Sequence, residues 1–371
     1  MARRWIVRCL PILSGIAGLV LAGMSGASAM PWKRTTPAEA GFDPAIGETL
    51  DAAFAAGKFN NLHAVVLVRG GKIVLERYFA GPDQRWGTPL GPVNHSADTK
   101  HDLRSISKSV VGLLYGIALA EGKVPLLDAS LVAQFPDYPD LAGDAERGRI
   151  TIADTLSMQL GLKWNEDLPY TDPRNSEVAM ERADDRIRYV LEQPILTDPG
   201  TRWTYSGGST ALVGHLISRG TGQDLMTYAT EKLFRPLGID DVEWVKGSNG
   251  EPAAASGLRM RAPDLARIGQ MMLNGGTWQG QRIVPADWLE ASFAGDARLE
   301  DGLEYGKQWW LGRLRNGERW IGGFGNGGQR LMIYPSLDTT IVLLAGNYDQ
   351  PNAWRMTLAV LTDVIFPAIR R

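Results

Sequence analysis

The sequence predicts an α+β fold: an antiparallel sheet built from both ends of the chain, flanked by N- and C-terminal helices, with a mostly helical lobe inserted between. Three observations carry this. A Gly-Gly pair separates two apolar runs near the start, Pro335-Ser336-Leu337-Asp338 separates two more near the end, and the middle keeps a helical rhythm. Hairpins at both termini make a sheet whose neighbours run antiparallel, and the intervening helices then cover one mouth of it.

The elements follow in order. Residues 1–29 read as a secretory signal peptide: Arg3, Arg4 and Arg8 form a basic start, 12–24 is apolar, and Ala27-Ser28-Ala29 offers a small-x-small cleavage site. Pro11, Ser14 and several glycines break the apolar run, which is too short for a permanent membrane span. The protein is therefore expected to be exported, periplasmic or secreted, after cleavage near Ala29; the adjacent arginines resemble a twin-arginine signal. An amphipathic helix is expected at 44–56, strands at 63–69 and 72–79 around Gly70-Gly71, and a Pro/Gly/Asn-rich loop at 82–100. Ile106, Val110, Leu113 and Ile117, spaced by 4, 3 and 4, open a helix that Gly122 closes. Further helices are expected at 151–160, 176–193 and 209–220, with a long loop at 162–175. Strands at 329–334 and 339–345 and a helix at 352–369 complete the chain. The mature region, 30–371, divides into a sheet lobe (30–100 and 250–371) and a helical lobe (101–249).

Composition excludes several classes. The chain has 39 basic and 41 acidic residues; without Arg3, Arg4 and Arg8 the balance is 36 to 41, no footprint for nucleic acid. Cys9 is the only cysteine and lies in the predicted signal, so the mature chain has no thiol nucleophile, disulfide or cysteine metal site. No G-x-S-x-G or H-E-x-x-H occurs. Of the four histidines, His63 and His215 read as structural, while His95 and His101 flank the loop before Ser105. No metal or organic cofactor is expected.

Three segments carry chemistry. In Ser105-Ile106-Ser107-Lys108, residues three apart on a helix share a face, so Lys108 stands beside Ser105 and the helix N-terminus suits a developing oxyanion. In Thr204-Tyr205-Ser206-Gly207, before the next helix, a phenol supplies a second proton handler. In Gly322-Gly323-Phe324-Gly325-Asn326-Gly327-Gly328-Gln329 the glycines satisfy G-x-G-x-x-G, but a strand follows them rather than a helix. They suit close approach of a substrate to the backbone, with the Gln329 N–H as an oxyanion donor. Trp164 and Trp203 are candidates to line an acyl pocket; Glu166, Tyr170 and Asn175, on the long loop, are candidates to touch substrate or water.

These motifs, in this order, resemble the serine β-lactamase/penicillin-binding superfamily, in its class C-like branch with esterases, D-amino acid peptidases and 6-aminohexanoate-dimer hydrolases. The resemblance spans nearly all of the mature chain and implies a β-lactamase/transpeptidase-like fold. It also implies Ser105 as nucleophile, Lys108 and Tyr205 as coupled base and acid, and an oxyanion hole from the Ser105 and Gln329 N–H groups. Asn326-Gly327-Gly328 falls where that family has K-T-G or H-x-G, and Gly207 replaces the Asn of Y-x-N. Both departures remove groups that favour a β-lactam, so the expectation is a hydrolase of esters or small amides; Arg330 is a candidate to restore the lost charge. The alternatives are a β-lactamase or peptidoglycan D-peptidase, and a non-catalytic ligand-binding or sensor protein.

Overall fold

The structure, a computed structural model, describes residues 31–370; the signal peptide and cleavage site expected from the sequence lie outside them. Eight antiparallel strands form the main sheet. Leu62–Arg69 and Lys72–Tyr78 from the N-terminal side join Ala297–Arg298, Glu304–Tyr305, Trp310–Arg313, Arg319–Gly325, Gln329–Tyr334 and Thr339–Ala345 from the C-terminal side. The two sets meet where Leu62–Arg69 pairs with Thr339–Ala345, with Val65 opposite Leu343 and Leu67 opposite Ile341. Both expected hairpins and the union of the termini are present.

Alternation along the strands divides the core between the two faces. Val66, Val68, Leu331, Ile333, Val342 and Leu344 pack with Ile106, Val110 and Leu113 of the helix Ile106–Ala120. Val65, Leu67, Met332, Tyr334, Ile341 and Leu343 face the other way, onto Phe42, Ile46 and Leu50 and the C-terminal Val360, Leu361 and Val364. The helix Ala262–Leu273 lies on the first face, where Gly269 lets Thr340 and Leu331 approach; any Cβ there would crowd both.

Four elements differ from the sequence expectation. The loop at 82–100 contains a two-stranded arm, Ala80–Arg85 paired with Thr88–Asn94, in which Pro82 faces Pro92. An isolated two-stranded arm has outer edges that need no donor, so prolines that argue against a central strand are tolerated. The helix at 151–160 is confined to Ile152–Leu156, opened by a Thr151/Asp154 capping box and followed by Met158 at φ +60°. The 176–193 helix is two, Ser176–Arg182 and Arg186–Leu191, because the Asp185 side chain caps the second by accepting from the Arg188 N–H. The last helix is regular only over Ala353–Ala359 and widens over Val360–Ile365. No helix among the described residues is long and apolar enough to cross a membrane.

Candidate active site

Ser105 stands where a short strand turns into a buried helix. Lys100–Asp102 pairs with Leu258–Arg261, and the Leu103 N–H continues that register by donating to the Leu258 carbonyl at 2.9 Å. Arg104 takes φ +50°, a conformation that a residue other than glycine holds only under constraint. Its guanidinium is held 3.1 Å from Asp102 and 4.9 Å above the Tyr348 ring. Ser105 then caps Ile106–Ala120, whose dipole puts partial positive charge at the serine. Among the described residues, no acceptor takes the Ser105 N–H.

Lys108 lies one turn on, 1% exposed. Its ammonium makes three contacts: Ser105 Oγ at 3.0 Å, the Ala255 carbonyl at 3.1 Å and Glu177 Oε2 at 3.2 Å. An ammonium has three N–H bonds, and these acceptors take all of them. Tyr205 completes the group: its ring centroid is 4.9 Å from Lys108 Nζ, and its hydroxyl lies beside Ser105. It sits in the extended segment ahead of Gly207–Thr221, a helix capped by Ser206 Oγ accepting from the Ser209 N–H at 3.1 Å. The structure thus brings together the three residues singled out as nucleophile, lysine and phenol.

Glu177 was missed as a site residue because it falls on a polar-looking helix start. Asn175 fixes it: its Oδ1 caps the helix by accepting from the Glu177 and Val178 N–H groups at 3.0 and 3.3 Å, and its Nδ2 donates to the Leu168 carbonyl. Asn175 therefore positions Glu177 rather than meeting substrate. Glu177 Oε1 accepts from Ser256 Oγ at 2.5 Å. Gly207 explains the arrangement. A Cβ there would overlap Glu177 Oε2, so the carboxylate occupies the space in which a side chain at 207 would start. The signal available in the sequence was the glycine itself: a missing polar side chain beside a buried lysine must be replaced from elsewhere.

The 162–175 loop closes over this group. Glu166 accepts from the Trp164 indole at 2.6 Å, from the Tyr170 hydroxyl at 2.9 Å and from the Gly207 N–H. Trp164 packs on Gly208, where a Cβ would crowd its ring. Trp164 and Tyr170 thus border the site through Glu166, while Trp203 stands 6.1 Å from Tyr205 in an aromatic group with Tyr305 and Trp310. A cavity of about 290 Å³ beside Tyr205 is lined by Trp164, Glu166, Arg202 and Trp203, among others.

Charge is shared across the cluster. Burial pushes the Lys108 pKa down, but the charge of Glu177, helped by Tyr205 and Glu166, outweighs it and leaves the lysine above its usual range. Burial likewise opposes ionisation of Glu177, yet Lys108 and the Ser256 hydrogen bond hold its carboxyl below the usual range. Glu166 goes the other way: burial first, then the neighbouring Glu177 charge, raise it to about 7. Burial also raises Tyr205 despite the opposing pull of Lys108. Glu166 therefore binds more protons folded than unfolded between its ordinary 4.5 and about 7, and it costs stability as pH rises through that window. Glu166→Gln is expected to flatten the fall in unfolding free energy from pH 4.5 to 7, measured by denaturant titration at a pH series. An unchanged slope would remove the shift.

The third motif is placed differently from the catalytic trio. Asn326, Gly327 and Gly328 form the turn between Arg319–Gly325 and Gln329–Tyr334, with φ of +90° and +97° at the two glycines. The Asn326 side chain is tied to Asp349, donating to Oδ1 at 2.7 Å and accepting the Asp349 N–H at 2.9 Å. The Gln329 side chain is buried and spent on the last strand, donating to Ala345 O at 2.6 Å and accepting from Ala345 N at 3.0 Å. Arg330 stacks 4.4 Å over Phe324 and shares its sheet face with Met332 and Tyr334, opposite the face that carries Ser105's helix. It does not restore a cation to the site. His215 lies 3.6 Å from Glu251. His63, His95 and His101, which the sequence separated into structural and loop residues, converge with Asp83.

An antiparallel sheet with a buried Ser-x-x-Lys helix and a facing tyrosine is the arrangement of the serine β-lactamase-like hydrolases. The β-lactamase family model matches residues 60–358, and the chain belongs to that family. It is 29% identical over 303 residues to the 6-aminohexanoate-dimer hydrolase of Paenarthrobacter ureafaciens, covering 76% of this chain and 72% of that one. It is 27% identical over 212 residues to esterase EstB of Burkholderia gladioli, covering 54% of this chain and 52% of that one. The fold matches the octameric penicillin-binding protein homologue from Pyrococcus abyssi with a TM-score of 0.64 at 17% identity, over 85% of this chain and 76% of the other.

Proposed function

We propose that the protein is an exported serine hydrolase that cleaves esters or small amides through an acyl-enzyme on Ser105. The observation that carries this reading is the commitment of all three Lys108 N–H bonds as donors, one of them to Ser105 Oγ. A lysine so placed is a cation, and it cannot take the serine's proton in that state. Tyr205, beside both Ser105 and the ammonium, is the acceptor. Tyr205 reacts as its phenolate, the form that the Lys108 ammonium favours against burial; Ser105 Oγ attacks the carbonyl carbon as its proton passes to that phenolate oxygen, giving the neutral phenol. The carbonyl oxygen becomes an oxyanion held by the Ser105 N–H, and the family resemblance implies the Gln329 N–H as its partner. Collapse breaks the bond to the leaving alcohol or amine, which takes the proton from Tyr205. Water then attacks the ester on Ser105 by the same route, releasing the acid.

The surroundings favour a neutral acyl group. The Asn326 side chain is held by Asp349 and Arg330 faces away, so neither offers a cation to a substrate carboxylate, while Glu166 and Glu177 would repel one. The relatives named as a 6-aminohexanoate-dimer hydrolase and as an esterase support this reading.

The test is turnover of p-nitrophenyl esters of increasing acyl length, a linear amide and a chromogenic cephalosporin, with intact-mass detection of the adduct. Ester or amide turnover with a Ser105 adduct and little cephalosporin hydrolysis is expected. Dominant cephalosporin turnover would replace this reading by a β-lactamase, and stable binding without turnover or adduct by a binding protein.

A further inference from the structure

We propose that His63, Asp83, His95 and His101 form a closed tetrahedral site for a divalent transition metal, zinc by its donor set, that fixes the approach to Ser105. Their ligand atoms all lie within 4.8 Å of one another, and His95, His101 and Asp83 side chains are 2% exposed or less, with His63 fully buried. They come from three places in the fold: His63 from Leu62–Arg69, Asp83 and His95 from the two-stranded arm and the residue just beyond it, and His101 from the strand four residues before the serine.

The hydrogen bonds fix which nitrogens face inward. His95 Nδ1 meets the Phe79 carbonyl at 2.9 Å and His101 Nδ1 the Asp102 carbonyl at 3.0 Å; a carbonyl only accepts, so both nitrogens carry the proton. His63 Nε2 meets Asn61 Oδ1 at 2.9 Å, and the Asn61 amide is oriented because its Nδ2 donates to the Pro82 carbonyl at 3.0 Å. All three outer nitrogens are therefore donors. The inner ones, His63 Nδ1, His95 Nε2 and His101 Nε2, turn toward each other and toward Asp83. His63 Nδ1 and His101 Nε2 are 2.9 Å apart, His95 Nε2 is 3.3 Å from Asp83 Oδ2, and His101 Nε2 is 3.6 Å from Asp83 Oδ1.

Neutral imidazoles that present lone pairs to one another repel unless a cation lies between them. Three inward imidazole nitrogens and one carboxylate, each imidazole anchored on an oxygen through its outer nitrogen, make a zinc site with its supporting hydrogen bonds in place. Tetrahedral bonds of about 2.0–2.1 Å put ligands roughly 3.3 Å apart, and the three spacings above straddle that value. Two glycines make the room: a Cβ at Gly81 or at Gly346 would overlap the Asn61–His63 pair.

A metal here would tie the arm, the sheet and the strand leading to the nucleophile. The Tyr348 hydroxyl donates to Asp83 Oδ1 at 3.0 Å, and the Tyr348 ring carries Arg104, the left-handed residue before Ser105. With four protein ligands the ion is structural and has no open position for substrate.

The test is the metal content of the purified full-length protein, then removal with a chelator and titration with zinc or cobalt(II). About one zinc per chain, a visible cobalt spectrum of tetrahedral intensity and a higher melting temperature on zinc addition are expected. Asp83→Asn and His95→Ala should lose the ion, His215→Ala should keep it, and Asn61→Ala, which removes only the support of His63, should weaken affinity about 10- to 100-fold. If a variant fails to fold, the wild-type stoichiometry and cobalt spectrum decide alone. Folded wild-type protein that binds neither metal overturns the site and leaves a network held by a shared proton. Zinc retained by folded Asp83→Asn and His95→Ala overturns it in favour of adventitious binding elsewhere.

Discussion

Ser105→Ala is expected to lower kcat on every turned-over substrate by about 10⁴-fold or more, because losing an activated nucleophile removes the covalent route rather than weakening it. The fold should persist. The hydroxyl is one of three acceptors on Lys108, and Glu177 and the Ala255 carbonyl remain. Measured beside the wild type by initial rates and intact mass, the variant should show no adduct and an unchanged far-UV spectrum. Activity within tenfold of wild type in that variant would falsify the acyl-enzyme reading, because Ser105 is the hydroxyl hydrogen-bonded to Lys108 at the helix N-terminus.

Glu177 and Gly207 give the second large effect, and it appears as a coupling. Glu177→Ala leaves Lys108 buried without its counter-ion, and breaking a buried pair costs about 3–5 kcal/mol. Gly207→Asn alone forces a Cβ into Glu177 Oε2, with an overpacking cost of about 1–3 kcal/mol and a displaced Lys108 partner. The double variant removes the overlap and returns an amide to the lysine's side, so its loss in stability should be smaller than the sum of the two. The coupling expected between touching residues is about 0.5–3 kcal/mol, read from denaturant unfolding of all four proteins. Activity should follow, with the double variant above Gly207→Asn. Additive losses would mean that Glu177 does not stand in for a side chain at 207.

The contrast between Lys108 and Glu177 shows how far local pattern reaches. Ser105 and Lys108 were legible because three residues on a helix make neighbours of serine and lysine, and Tyr205 because it matches the tyrosine of the Y-x-N motif in the family the chain resembles. The Gly70-Gly71 and 335–338 turns were legible for a similar reason, since two-residue alternation and turn chemistry act over a few residues. Glu177 sits 69 residues from Lys108. Its carboxylate reads as a solvated acid until the fold buries it, and only the absent Cβ of Gly207 shows which space it fills.

The Pro-rich arm and the histidine cluster fall on the far side of that line. Prolines in 82–100 signal a loop, and only the finding that Ala80–Arg85 and Thr88–Asn94 form an isolated pair makes them compatible with strands. His63, Asp83, His95 and His101 have no motif spacing because three segments deliver them, so their convergence is a property of the packed sheet. The sequence by itself determined the sheet from both termini, the helical middle and the serine–lysine pair, all consequences of periodicity and short-range geometry, and the tyrosine through its motif resemblance. The tertiary structure alone decided the lysine's counter-ion, the direction of Arg330 and the meeting of the imidazoles. Each of these depends on which distant side chains share one buried volume, where an unpaired charge or lone pair is costly enough to select its partner.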